Sequence, residues 1–279
     1  MSEGTSEGII ENKTYPGIKN AIFLCLILLG LQIAAGIIPW IISFIFGIGE
    51  EYIFFEIGNV LLNILPSVIV IYIGYKKSHK KFDEVFVFNN VSSNLWTATT
   101  VFICGFIILS SEINNLLEYF LPMPGFLQEA FETMLGNKYI IISVVSVGII
   151  PAFVEEMLFR GVILNGFKER YSHKKAIITS SLLFGIVHLN PWQFVTAFIM
   201  GMVSAWVCLK IKALTLSIYM HMINNIAAVL VMKTRDIVLI KGFNTGPSER
   251  TFQPLWFDAL GIVLVAIGII LFSREIEES

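Results

Sequence analysis

The chain has 279 residues, of which 56% are hydrophobic and only 14% charged, and its formal net charge is −2. A soluble domain is closer to a quarter charged, so this composition belongs to a protein whose solvent is largely lipid. The balanced charge leaves no footprint for nucleic acid. The three cysteines, Cys25, Cys104 and Cys208, sit in apolar segments without a CxxC spacing, so they read as small core residues, neither disulfides nor metal ligands.

Residues 1–20 are polar and slightly acidic, and lack the basic start and short apolar run of a cleavable leader. They read as a polar cytoplasmic tail. Apolar stretches of about 20 residues follow, the length that crosses the hydrocarbon region as a helix. The spans read 21–46, 52–75, 95–111, 139–165, 176–189, 192–209, 213–232 and 255–272. Backbone polar groups in lipid must be satisfied within the segment, so each span is expected to be helical. The expected fold is all-α, a polytopic transmembrane bundle of about eight spans forming one membrane domain over 21–272. Residues 273–279 make a short cytoplasmic tail.

In span two, Glu56 is placed near the outer interface, and Asn59, Asn63 and Pro66 read as helix-packing features. Lysines and arginines orient the bundle. Lys76, Lys77, Lys80 and Lys81 follow span two, Lys168, Arg170, Lys174 and Lys175 follow span four, and Lys210 and Lys212 follow span six. An even number of spans separates these loops, so they share one side, the cytoplasm, and so do both termini. The 112–137 segment is acidic, short of a span and broken by Pro122 and Pro124. It is expected to lie along the outer interface as two short amphipathic helices.

Spans four, five and seven carry ionisable or strongly polar groups well inside, and such residues mark function by default. Span four contains EEMLFR. Glu156 and Arg160 are four apart and share a helix face, so they can neutralise one another. Glu155 points about 100° away with no partner in its own helix. Span five ends in FGIVHLNP, with Phe184 and His188 one turn apart. Span seven contains HMINN, with His221 and Asn225 one turn apart and Asn224 beside them. At 1.5 Å per residue, Glu155, His221 and His188 lie about 15, 12 and 18 Å from the basic side. One carboxylate, two imidazoles and an amide can therefore meet at one level.

A carboxylate in a low-dielectric site can act as a general base, a neighbouring imidazole can help to activate water, and imidazole or amide donors can hold an oxyanion. No serine or cysteine stands in a nucleophile motif. Glu155, His188 and His221 could instead bind zinc with one open position, although no HExxH is present. Both readings, with zinc and without a metal, remain open.

In order along the chain, EEMLFRG (155–161), FGIVH (184–188) and HMINN (221–225) resemble the three motifs of the CPBP family, and the resemblance covers about 140–230. That family includes type II CAAX prenyl proteases and bacteriocin-processing or self-immunity membrane proteins. The resemblance implies an intramembrane endopeptidase, usually labelled a metalloprotease, with its core at 139–232 and its catalytic groups on spans four, five and seven. It implies that Glu155 and His188 activate water and that His221 and Asn225 support the oxyanion. Glu156, Arg160 and Phe184 would support the site.

The implied partners are the lipid bilayer and a membrane-associated or prenylated peptide delivered from the cytoplasm. Abundant Ile, Asn, Lys and Phe suggest a bacterial plasma membrane as the setting, and with it peptide maturation or bacteriocin immunity. Two other classes compete: a non-catalytic immunity or scaffold protein of the same fold, and a proton-coupled transporter. Missing inverted repeats count against the last.

Overall fold

A computed structural model describes residues 14–47, 53–135, 139–234, 239–245 and 251–278, and every regular element among them is a helix. In chain order, α1 is Ile18–Phe46, α2 Ile53–Ser78, α3 Phe82–Val85, α4 Ser93–Phe120 and α5 Gly125–Leu135. The continuous helix α6 runs over Ile140–Arg170. Then come α7 His173–Ile186, α8 Pro191–Ile211, α9 Thr215–Lys233 and α10 Leu255–Glu278. The tail residues 1–13 and the side chains of Glu56, Asn59 and Asn63 lie outside the described residues, while Pro66 is buried.

Seven of these helices, all but α3, α5 and α7, are long and apolar enough to cross a membrane. Their outward faces are apolar: Phe44, Phe120 and Leu255 are 80%, 75% and 86% exposed. Large apolar side chains stay exposed in this way when lipid is the neighbour. Cys104 also faces outward, contrary to its expected place in the core.

The expected span 176–189 is the one that falls short. Its helix α7 has 14 residues. That covers about 21 Å, against roughly 30 Å of hydrocarbon. The physical reason lies in the turn that follows. Leu189 takes a left-handed φ of 56°, Asn190 caps α8 by accepting from the Gln193 amide at 2.8 Å, and Pro191 opens α8. Apolar content alone did not register that stop. The α7 and α8 helices pack as an antiparallel hairpin.

The 112–137 expectation also changes. Residues 112–120 are the last turns of α4, and only Gly125–Leu135 forms a separate short helix. Glu112, which suggested a boundary, accepts from the Gln253 amide at 3.0 Å and from Asn115 Nδ2 at 2.8 Å. A helical carboxylate near the membrane surface is tolerable once neighbouring donors satisfy it.

Hydrogen bonds define two ends. At one, Arg170 donates to the Thr14 carbonyl, Lys80 pairs with Glu169, and Asn165 Nδ2 donates to the Glu84 carbonyl at 3.0 Å. The Leu214 amide donates to the Val87 carbonyl at 2.8 Å, and Ser92 and Asn94 hold Glu275 at 2.6 and 2.9 Å. The three basic loops and both described chain ends therefore share this end. At the other, Trp192 Nε1 donates to the Leu121 carbonyl at 2.8 Å and Asn115 Nδ2 to the Gly242 carbonyl at 2.6 Å.

Between the ends, α4 and α10 touch backbone to backbone. A Cβ at Gly105 would come within 2.6 Å of the Gly261 carbonyl, and one at Gly268 within 2.6 Å of the Phe102 Cα. Small residues let membrane helices approach in this manner, because packing rather than water drives their association.

Candidate active site

Helix α6 carries the two glutamates at its middle, in an α-helical turn, Ile150–Glu156, set between two wider π-helical segments, Val144–Ile149 and Met157–Leu164. Such widenings are uncommon and concentrate at functional sites. They shift side chains off the 100° spacing that sequence periodicity assumes, yet the turn that matters survives. Arg160 Nη1 lies 3.1 Å from Glu156 Oε1. Glu156 is wholly buried and Arg160 nearly so.

A buried pair of this kind is tolerable only when further contacts satisfy it. Arg160 Nη2 donates to the Gly201 carbonyl of α8 at 3.1 Å, and the guanidinium lies 4.6 Å from the centroid of the Phe184 ring. Phe184 is itself buried, with Phe159, His188 and His221 at its ring edges or faces, at centroid separations of 5.1, 5.1 and 5.5 Å. One aromatic ring thus packs against the arginine and both imidazoles.

His221, buried on α9, meets both glutamates. Its Nδ1 is 3.1 Å from Glu156 Oε1, and its Nε2 is 3.8 Å from Glu155 Oε2. The short contact makes Nδ1 the donor to Glu156, since an ionised carboxylate only accepts. Nε2 then faces Glu155, whose side chain keeps 24% of its surface open. His188 stands at the turn after α7. Its Nδ1 is 2.8 Å from the Phe184 carbonyl, which can only accept, so Nε2 is its unengaged ring nitrogen. Glu155 and His188 form no ion pair with each other; the imidazole next to Glu155 is that of His221.

Asn225 is positioned across two helices: its Nδ2 donates to the Val147 carbonyl of α6 at 3.2 Å, inside the π-helical segment where backbone bonds run to the fifth residue. No spacing within one helix signals this contact. Asn225 therefore ties α9 to α6 with one amide hydrogen and keeps the other. Asn224 Nδ2 lies 3.4 Å from Asn225 Oδ1.

His188, His221, Asn224 and Asn225 line a cavity of about 310 Å³. It runs away from the basic loops, toward the end where α4 finishes and the α7–α8 turn sits.

Zinc was one expected occupant of this site. Beside Glu155 and His221 it needs a third protein donor. Among the described residues, no three His, Cys, Asp or Glu side chains converge to hold a metal ion. As arranged, these side chains do not fit zinc.

A family model described as Type II CAAX prenyl endopeptidase Rce1-like matches residues 137–227, the stretch that contributes every residue of the glutamate–histidine–asparagine cluster. An Escherichia coli protein described as "Uncharacterized 24.3 kDa protein" is 27% identical over 185 residues, covering 64% of this chain and 80% of that protein. No solved structure matches. Residues 137–227 are thus similar to the type II CAAX prenyl endopeptidase Rce1-like domain, a match consistent with the CPBP family.

Proposed function

We propose that this chain is an intramembrane endopeptidase that hydrolyses a peptide bond in a membrane-associated protein or peptide. The observation that carries the reading is the position of Glu155. Its partly open carboxylate faces the Nε2 of an imidazole that a buried ion pair holds in place. A water placed against Glu155 Oε2 and His221 Nε2 gives its proton to the carboxylate as its oxygen attacks the peptide carbonyl carbon. The oxyanion that forms accepts from the free amide hydrogens of Asn225 and Asn224. The carbon–nitrogen bond then breaks and the proton passes to the departing amine. His188 brings its Nε2 to the cavity that His221, Asn224 and Asn225 line, and in this reading it assists that proton transfer.

The three lysine-rich loops lie toward the cytoplasm in this reading, and the described chain ends lie with them. Comparing membrane peptides from cells carrying the natural chain and a Glu155→Gln variant tests the proposal. Peptides accumulate uncut in the variant if Glu155 is the base. Unchanged peptide profiles in both Glu155→Gln and His188→Ala, with each protein present and folded, would leave a non-catalytic role instead.

A further inference from the structure

The cavity at the histidines does not end at its own mouth. A second cavity, of about 250 Å³, shares Ser111, Asn114, Gln193, Phe243 and Thr245 with the first and continues past Glu118 and Trp192. Together they run from His221, six residues into α9, to the end of the bundle where α4 stops. The route starts at His221, in the first half of α9 counted from the lysine-rich end, and leads away from the lysine-rich loops. Its mouth is braced by the Trp192–Leu121, Asn115–Gly242 and Gln253–Glu112 hydrogen bonds.

The wall of this route is chemically specific. Hydroxyls and carboxamides from α4, α8, α9 and the 239–245 loop face it. Asn114 belongs to both cavities, and its Oδ1 is out of solvent without a hydrogen-bond partner among the described residues. A buried carboxamide oxygen left without a donor costs on the order of 1–3 kcal/mol, so it suits a donor that arrives with a ligand. The cavity at the lipid face between α4, α8 and α10 is the contrast. Its volume is about 420 Å³, and Phe102, Val203, Trp206, Ile269 and Phe272 give it an apolar wall. An acyl or prenyl chain suits that wall, whereas a peptide backbone, with an N–H and a carbonyl at every residue, suits the first.

We propose that the substrate is a peptide segment that enters from the end opposite the lysine-rich loops, the extracytoplasmic end, and that Asn114 positions it by accepting a backbone N–H. This rests on the endopeptidase reading for the cleavage, but the route is testable without it. It also departs from the cytoplasmic delivery that the sequence resemblance implied.

Two measurements decide it. In a chain with Cys25, Cys104 and Cys208 replaced by alanine, Asn114→Cys is exposed to a membrane-impermeant methanethiosulfonate. Modification in right-side-out vesicles supports the route. Modification only in inside-out vesicles, or only after detergent, overturns it. Lys80→Cys serves as the opposite-end control. Separately, short internally quenched peptides of random sequence are added to each vesicle type. Cleavage is expected in right-side-out vesicles only, and cleavage only in inside-out vesicles overturns the proposal. Asn114→Leu is expected to raise KM about tenfold with kcat unchanged, the pattern of a lost binding contact. An unchanged KM removes Asn114 from the proposal. Absence of any cleavage by the natural chain in either vesicle type counts against the endopeptidase reading, and the thiol result still decides the route.

Discussion

Glu156 and His221, 65 residues apart in sequence, meet through a 3.1 Å contact between Oε1 and Nδ1 inside the bundle. The glutamate that pairs with Arg160 is therefore also the one that sets which nitrogen of His221 faces Glu155. A brace and an orienting group are the same side chain.

Removing that side chain has two effects that can be separated. Glu156→Ala leaves Arg160 charged and buried, which costs about 3–5 kcal/mol. Glu156→Gln keeps the volume and a hydrogen bond to the imidazole while removing the charge. We expect Glu156→Ala to lower the unfolding midpoint in micelles sharply. Glu156→Gln is expected to unfold at an intermediate point. Equal midpoints for Glu156→Ala and Glu155→Ala would contradict the division of labour between the two glutamates.

Glu155 is partly open and makes no close hydrogen bond among the described residues, so its loss is expected to fall on turnover. Glu155→Gln should cut the peptide cleavage rate by about 100-fold or more, the scale of a lost general base. Its unfolding midpoint should match that of the natural chain. A variant that cleaves at the natural rate would remove Glu155 from the chemistry.

Phe184 packs against Arg160, His188 and His221. Phe184→Ala opens a void in the core and is expected to cost about 3–5 kcal/mol. Phe184→Leu fills more of that volume but gives no ring face to Arg160. It should recover much of the stability and less of the activity. Recovery of both in equal measure would show that the ring acts only by filling space.

Asn225 Nδ2 ties α9 to the Val147 carbonyl of α6. Asn225→Ala removes that tie and the amide donor together. The cleavage rate should fall by about 100-fold or more, the size of one lost oxyanion donor. An Asn225→Ala protein with full activity would remove the amide from the chemistry.

The sequence was most informative where contacts are local. Glu156 and Arg160 are four apart, and helical spacing alone pairs them. Assigning seven of the long apolar segments to helices also needed only length and composition. Three features were not legible for physical reasons. The His221–Glu156 contact depends on how α9 packs against α6, which no spacing within one helix encodes. The π-helical segments flanking Ile150–Glu156 leave no mark on hydrophobic periodicity. The shortness of α7 does not show in its sequence, because the apolar run passes through Val187 and ends beyond the helix stop. Asn190 and Pro191 carried that stop, as cap and first residue of the next helix.

The brevity of α7 bears on the membrane as well as on the chain. Ile178, Leu182 and Ile186 give this helix an outward apolar face only 14 residues tall. That face offers the bilayer about 21 Å of helix, roughly a third less than an ordinary hydrocarbon core. Lipid meets such a mismatch by thinning locally. Thinning is expected beside this helix, which leads into the turn that carries His188, and there a polar chain would have the least hydrocarbon to cross.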